Sequence, residues 1–223
     1  MTVDIPKRTC IRCKKLHPET LYSESSGLCV YCKADDVDAL PEPTTTDESE
    51  SKAEELSLEE KAKAELALRF LTRKRLLPFV ERFNPDYQAG WVHKDICRRL
   101  EQFSQDVSEK KSPRLMLFMP PRHGKSTLAS VAFPAWHLGR NPQHEFISCS
   151  YSGSLAMGFS RKVRQLLREP TYKTAFSTRL DPDSQSAEAW LTTNGGGFVA
   201  AGVGGGITGK GAHILVIDDP VKN

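Results

Sequence analysis

The chain has no long uninterrupted apolar segment. None of its apolar runs approaches the roughly 18 residues that a membrane-spanning helix needs. Its N-terminus also lacks the charged stretch followed by an apolar one that marks a secretory signal. These absences argue against a membrane protein and against a secreted one, and we expect a cytosolic protein.

The chain also has little net charge, only +3 over 223 residues, but that charge is unevenly distributed. Residues 1–52 carry 7 Lys and Arg against 10 Asp and Glu, and the remainder carries 24 against 18. The positive remainder gives mild support for a polyanionic partner. Arg161, Arg164 and Arg168 recur at helical spacing, so they form a basic face that either contacts nucleic acid or is simply solvated.

Cysteine is scarce, but four of the six cysteines form two Cys-x-x-Cys pairs with fifteen residues between them. These four are Cys10, Cys13, Cys29 and Cys32. In a reducing compartment this spacing predicts a tetrahedral Zn²⁺ site. So short a segment cannot bury a sufficient core, and zinc would supply its folding energy. Cys97 and Cys149 have apolar neighbours and are expected to be buried.

Composition divides the chain into three parts. Residues 1–33 would form the zinc-binding module. Residues 34–55 are rich in acidic residues, Pro, Ser and Thr, and cannot bury enough apolar area to order themselves, so we expect an acidic flexible linker. Residues 56–223 alternate helical and strand patterns, which predicts an α/β domain with a mainly parallel sheet flanked by helices.

Apolar periodicity places the elements of this last part. Ser57 and Glu60 are spaced as a capping box at the start of the first helix. The predicted helices span about 56–77, 92–107, 128–138 and 155–168. The predicted strands span 115–119, 145–150, 198–201 and 214–217.

A phosphate-binding loop is predicted between the strand at 115–119 and the helix that follows. Gly124 allows close approach of the backbone, and unpaired N–H groups at a helix start favour an anion. Lys125 would reach the terminal phosphates of a nucleotide, and the Ser126 hydroxyl would hold Mg²⁺. The usual first glycine of this motif is replaced by Met119.

Two carboxylates follow the last predicted strand. A strand of a doubly wound sheet would deliver Asp218 and Asp219 beside the phosphate loop. Asp218 would then lie near Mg²⁺, and Asp219 would act as general base on the attacking water. The alternative is a solvated turn of the Asp-Asp-Pro type. The two motifs together favour a nucleotide-hydrolysing site.

Several spaced blocks resemble the large terminase subunit of tailed bacteriophages over roughly residues 65–223. The blocks are Pro120–Ser126, Phe133–Gly139, Ser150–Ser152, Phe159–Arg164, Gly202–Gly211 and Ile217–Pro220. The resemblance implies a P-loop NTPase fold and an ATPase that drives viral DNA into the capsid. It also implies sequence-independent contact with double-stranded DNA, a small terminase subunit and a portal as partners, and a homo-oligomeric ring. The expected location is the host cytoplasm, at the viral procapsid.

The resemblance also assigns site residues. Those for the nucleotide are Arg122, His123, Gly124, Lys125, Ser126, Thr127, Asp218 and Tyr87. Arg122 would act in cis on the terminal phosphate, as a catalytic residue together with Lys125 and Asp219. Tyr87 lies in a loop where the family contacts the adenine base. The cofactors implied are ATP and Mg²⁺, with Zn²⁺ predicted from cysteine spacing alone.

The sequence departs from the family at its end, four residues after Asp219. Family members continue into a coupling segment and a nuclease domain, so we expect an incomplete ATPase domain without nuclease function. Two rival hypotheses remain. One is another nucleic-acid-dependent P-loop ATPase of helicase type. The other is a zinc-anchored interaction module attached to an inactive ATPase remnant.

Overall fold

The computed structural model describes the backbone of residues 7–9 and 16–18, and residues 57–221 in full. The chain divides into two units, Met1–Glu55 and Leu56–Asn223. In the first unit, β1 (Lys7–Thr9) and β2 (Leu16–Pro18) pair antiparallel, with Thr9 opposite Leu16. The four zinc-site cysteines and the linker at 34–55 lie outside the described residues, so both remain predictions.

The second unit is an α/β domain, as predicted. Its helices are α1 (Leu58–Lys74), α2 (Leu76–Phe83), α3 (Trp91–Ser108), a π-helix (Thr127–Ala132), α4 (Phe133–Arg140), α5 (Gly153–Arg168) and α6 (Pro170–Ala175). Its strands are β3 (Glu145–Ser150), β4 (Leu180–Gln185), β5 (Ala189–Thr192), β6 (Gly197–Gly202) and β7 (Ile214–Asp218).

The five strands form one mixed sheet in the order β4-β5-β6-β3-β7. β3 pairs in parallel with β6 and with β7, whereas β5 pairs antiparallel with β4 and β6. The predicted mainly parallel sheet is thus correct for β6, β3 and β7 only. β4 and β5 were not predicted.

The first predicted helix is two helices in the structure. Ser57 caps α1 as expected: its N–H donates to Glu60 Oε2 at 2.9 Å, and its hydroxyl accepts from the Glu60 N–H at 3.3 Å. At Arg75 the backbone becomes extended, with φ −129° and ψ 137°, and α2 begins immediately afterwards. This break brings the Leu76 N–H to the Glu101 carboxylate on α3, at 2.6 Å.

The larger core cluster lies on one face of the sheet, against the helices, and a smaller cluster of Ile147, Cys149 and Ala201 lies on the other face. Phe146 of β3 stacks on Phe198 of β6, and Phe198 stacks on Trp190 of β5, with ring centroids 5.4 Å apart in both pairs. All three side chains are buried. On the opposite face Leu215 and Ile217 of β7 are about half exposed, at 51% and 58%. No helix within the described residues is both long and apolar enough to cross a membrane.

The predicted buried strand at 115–119 is wrong. This segment is extended but pairs with no strand among residues 57–221. Leu115, Leu117 and Met119 pack against the core, while Met116 and Phe118 are 81% and 88% exposed. An apolar run indicates which side chains avoid water, but it does not establish that a partner strand lies on either side.

Candidate functional site

The phosphate loop and the acidic pair meet at one edge of the sheet. Nζ of Lys125 lies 2.6 Å from Oδ1 of Asp219 and 3.8 Å from Oδ1 of Asp218. β3 and β7 run parallel, so Ser150 and Asp218 end side by side and the carboxylates emerge at the carboxyl end of the sheet. This is the edge where ligands bind in open α/β sheets.

The contact with Asp219 favours the charged form of Lys125. The hydrogen bond to the Asp219 carboxylate raises the pKa of Lys125, against the opposing effect of burial. The Asp219 side chain is 65% exposed, and its backbone has a left-handed φ of 43°. The Asp219 carbonyl accepts from the Tyr151 N–H at 3.2 Å, which ties the turn after β7 to the end of β3. The exposed carboxylate is therefore available to solvent beside a charged ammonium.

Asp218 lies in a different environment from Asp219. It is 6% exposed, and its Oδ2 accepts from the Ser130 hydroxyl at 2.9 Å. Sequence reasoning missed Ser130. The sequence did contain an indication of its position. Ser130 lies four residues after Ser126 among apolar neighbours, so the two serines fall on nearly the same face of a helix. Ser130 fixes the buried carboxylate against the helix that follows the loop.

The loop itself contains two residues with left-handed backbone. Arg122 has φ 63° and Gly124 has φ 80°. For Arg122 this conformation is uncommon, and its side chain is exposed. The His123 ring donates from Nδ1 to the Pro121 carbonyl at 2.8 Å, which closes the loop on itself.

Tyr87 lies against this loop. A Cβ added to Gly124 would lie 3.4 Å from the Tyr87 hydroxyl, an ordinary contact distance, so the positive φ rather than lack of space favours glycine here. The Tyr87 hydroxyl is buried with no hydrogen-bond partner among the described residues, and burial raises the pKa of Tyr87 to about 12. The expected stacking of Tyr87 on adenine stays a prediction, and the structure adds that its hydroxyl faces the phosphate loop.

His93, which the sequence did not reveal as a site residue, also contacts the loop. Its Nδ1 accepts from the Gly90 N–H at 3.0 Å, and its Nε2 lies 3.0 Å from the His123 carbonyl oxygen. Its position three residues after Gly90, at the start of α3, could have indicated a helix-capping role. The contact with the loop, thirty residues further along the chain, could not be read from spacing.

Ser126 and Thr127 lead from the loop into the helix. Ser126 is half-buried and has helical backbone angles, and Thr127 is exposed. Thr127 begins the π-helix, a wider turn that is frequent at functional sites. The Leu128 N–H donates to the Gly124 carbonyl at 3.0 Å, so helical hydrogen bonding begins at the loop. The N–H groups before it are free of intrahelical partners, as anion binding requires.

These residues fit a nucleotide with Mg²⁺. An ammonium, a helix start and a glycine with positive φ suit a phosphate chain. A carboxylate and a serine hydroxyl suit Mg²⁺, which commonly takes one or two carboxylates together with substrate phosphates. Within residues 57–221 no three His, Cys, Asp or Glu side chains are arranged to hold a metal ion by themselves.

The basic face of α5 is partly occupied by protein contacts. Arg164 donates to the backbone carbonyl of Gln185 on β4, and Arg168 donates to its side-chain oxygen. Burial lowers the pKa of Arg164. Two of the three arginines therefore hold β4 against α5, and Arg161 stays exposed.

Comparison with known proteins agrees with the resemblance seen in the sequence. Residues 116–223 match the family model described as terminase large subunit, T4likevirus-type, N-terminal. No curated protein and no solved structure matches the chain. The matched segment contains the phosphate loop, the π-helix and both carboxylates. Residues 116–223 therefore match the N-terminal part of T4-type terminase large subunits, as the sequence resemblance predicts.

Proposed function

We propose that the chain binds and hydrolyses ATP as the motor part of a viral DNA-packaging machine. The observation that carries this proposal is the approach of Lys125 Nζ to both Asp219 and Asp218, at 2.6 and 3.8 Å, across 94 and 93 positions of sequence. The match of residues 116–223 to the terminase family model supports the same function. The P-loop NTPase fold is part of the proposal.

Each residue of the site would have a defined task. Lys125 would neutralise charge on the terminal phosphates, and the exposed Arg122 would do so on the γ-phosphate. Asp218 and Ser126 would hold Mg²⁺, which supplies charge neutralisation on the phosphate oxygens. Asp219, exposed and next to Lys125, would orient a water and accept its proton.

The DNA contact of a packaging motor would be independent of sequence. Phosphate contacts position a duplex without reading its bases, and their affinity falls steeply with salt. The portal, the small subunit and a ring of copies are partners that the family suggests. In the proposed machine, zinc at the four N-terminal cysteines would stabilise the first 33 residues.

The test uses the intact chain with Mg²⁺. Binding of a fluorescent ATP analogue and release of phosphate are measured with and without linear double-stranded DNA. We expect micromolar to millimolar binding that Lys125→Ala weakens more than about tenfold, with hydrolysis that DNA stimulates. Lys162→Ala, at an exposed lysine on α5, is the matched control.

The outcomes separate the rival hypotheses. Absence of nucleotide binding by the intact chain would favour the inactive remnant. Hydrolysis with strand separation of a duplex would favour a helicase-type ATPase. Hydrolysis stimulated by intact duplex, without strand separation, supports the packaging motor.

A further inference from the structure

The His93 ring bridges the start of α3 and the phosphate loop through both of its nitrogens. The Gly90 N–H can only donate, so Nδ1 must be the acceptor in their 3.0 Å contact. The His123 carbonyl can only accept, so Nε2 must carry the hydrogen in the other 3.0 Å contact. One tautomer satisfies both bonds: the neutral ring protonated at Nε2.

We infer that His93 is a positioning residue for nucleotide binding, which fixes the orientation of the His123–Gly124 peptide in the phosphate loop. This inference rests on the proposed function. Across a planar trans peptide, the C=O and the following N–H point in opposite directions. By holding the His123 carbonyl, His93 turns the Gly124 N–H to the other side of the loop. Backbone N–H groups of such loops are the donors that bind phosphate.

The surroundings of the ring keep it in this orientation. The Tyr87 ring packs edge-on against the His93 ring, with centroids 5.6 Å apart and an interplanar angle of 71°. The Tyr87 hydroxyl lies close to Gly124 on the same side. The histidine is half-buried and held from two directions, by the Gly90 N–H and by the tyrosine. A ring held in this way can restrain the loop.

Two substitutions separate the two bonds of His93. In His93→Asn the amide oxygen can occupy the place of Nδ1, which keeps the Gly90 contact and loses the donor to the loop. In His93→Gln the amide nitrogen can reach the place of Nε2, which keeps the donor to the His123 carbonyl and loses the Gly90 contact. If His93 only caps α3, His93→Asn should preserve the native loop and nucleotide affinity better than His93→Gln. If His93 positions the loop, His93→Gln should preserve them better.

The first readout needs no nucleotide. Long-range ¹H–¹⁵N spectra of the intact chain report the tautomer of His93, and amide spectra report the Gly124 N–H. We expect the Nε2–H tautomer, a displaced Gly124 resonance in His93→Asn, and a Gly124 resonance near its original position in His93→Gln. An unchanged Gly124 resonance in His93→Asn, or equal displacement in both variants, overturns the inference.

The second readout is affinity for a fluorescent ATP analogue with Mg²⁺. Losing one neutral hydrogen bond should weaken binding about three- to tenfold in His93→Asn and much less in His93→Gln. Thermal unfolding of both variants is measured alongside. A variant that fails to fold would give His93 a purely structural role and would also overturn the inference. The proposed function is judged separately, by whether the unsubstituted chain binds the analogue.

Discussion

The Lys125 ammonium lies 2.6 Å from the Asp219 carboxylate, although the two residues are 94 positions apart. The cation that we assign to the terminal phosphates is therefore paired with the carboxylate that we assign as base. In the proposed function a triphosphate would compete with Asp219 for this ammonium. We therefore expect the two residues to affect nucleotide binding in opposite senses, although the proposed hydrolysis needs both.

Asp219→Asn should separate binding from hydrolysis. Removing the charge of an exposed partner releases Lys125, and an exposed ion pair stabilises by at most about 1 kcal/mol. We expect ATP affinity to be unchanged or raised up to about fivefold, with hydrolysis lost. Lys125→Ala should instead weaken affinity more than about tenfold, since a charge-assisted hydrogen bond is lost. Fluorescence titration and phosphate release measure the two effects. If Asp219→Asn weakens binding as much as Lys125→Ala does, the opposition between the two residues is refuted.

The buried bond between Ser130 and Asp218 should contribute to folding stability. Its 2.9 Å hydrogen bond joins a hydroxyl to a carboxylate that is 6% exposed. Ser130→Ala should lower the free energy of unfolding by about 1.5–3 kcal/mol, because a buried carboxylate loses a donor. Urea denaturation followed by circular dichroism measures the change. Thr127→Ala removes an exposed hydroxyl from the same helix and should change stability by less than about 0.5 kcal/mol. Equal effects of the two substitutions would mean that the bond is not stabilising.

The meeting of Lys125 with the two aspartates could be predicted from the sequence. Each motif adjoins an apolar run, and the C-terminal end of β7 lies beside the helix start that carries the lysine. The Ser130 and His93 contacts could not be predicted in the same way. Spacing places Ser130 on nearly the same helix face as Ser126, but it does not show that this face meets Asp218. The contact of His93 depends on how α3 packs against the loop, which spacing does not show either.

The strands at the edge of the sheet show a second limit of prediction from local sequence. β4 reads Leu-Asp-Pro-Asp-Ser-Gln, with no apolar alternation and with a proline in its middle. It forms because β5 pairs with it and because Arg164 and Arg168 hold Gln185. Tertiary contacts here override local preference. Residues 115–119 are the converse case, an apolar run with no paired strand among the described residues.

Acid should destabilise the domain through His137. This side chain is fully buried, with its Nδ1 2.8 Å from the Ser104 hydroxyl and its Nε2 3.0 Å from His144 Nδ1. Burial lowers the pKa of His137 from 6.5 to about 3, and burial also lowers the pKa of His144. The unfolded chain therefore binds more protons than the folded chain between about pH 3 and 6.5. Stability is full above that window and falls as the pH drops through it.

The loss of stability caused by His137 can be measured by comparison with a variant that has no titratable group at this position. Between pH 7.5 and 5 the His137 contribution should be about 2 kcal/mol, measured by urea denaturation at each pH. His137→Gln should be less stable at pH 7.5, because the packing around it changes, but its stability should fall less on acidification. If the free energy of unfolding fell equally with pH in the two proteins, His137 would not be the cause of the acid destabilisation.

The four N-terminal cysteines should bind one zinc ion per chain. Four thiolates in paired Cys-x-x-Cys turns form a closed structural site, and binding to them is coupled to folding. Elemental analysis of protein purified without chelator should give one zinc per chain, and Cys29→Ser should reduce that content while exposing residues 1–33 to protease. Cys149→Ala is the matched control, because Cys149 is buried in β3 and burial raises the pKa of its thiol, which disfavours metal binding. Equal zinc content in the two variants would exclude the predicted site.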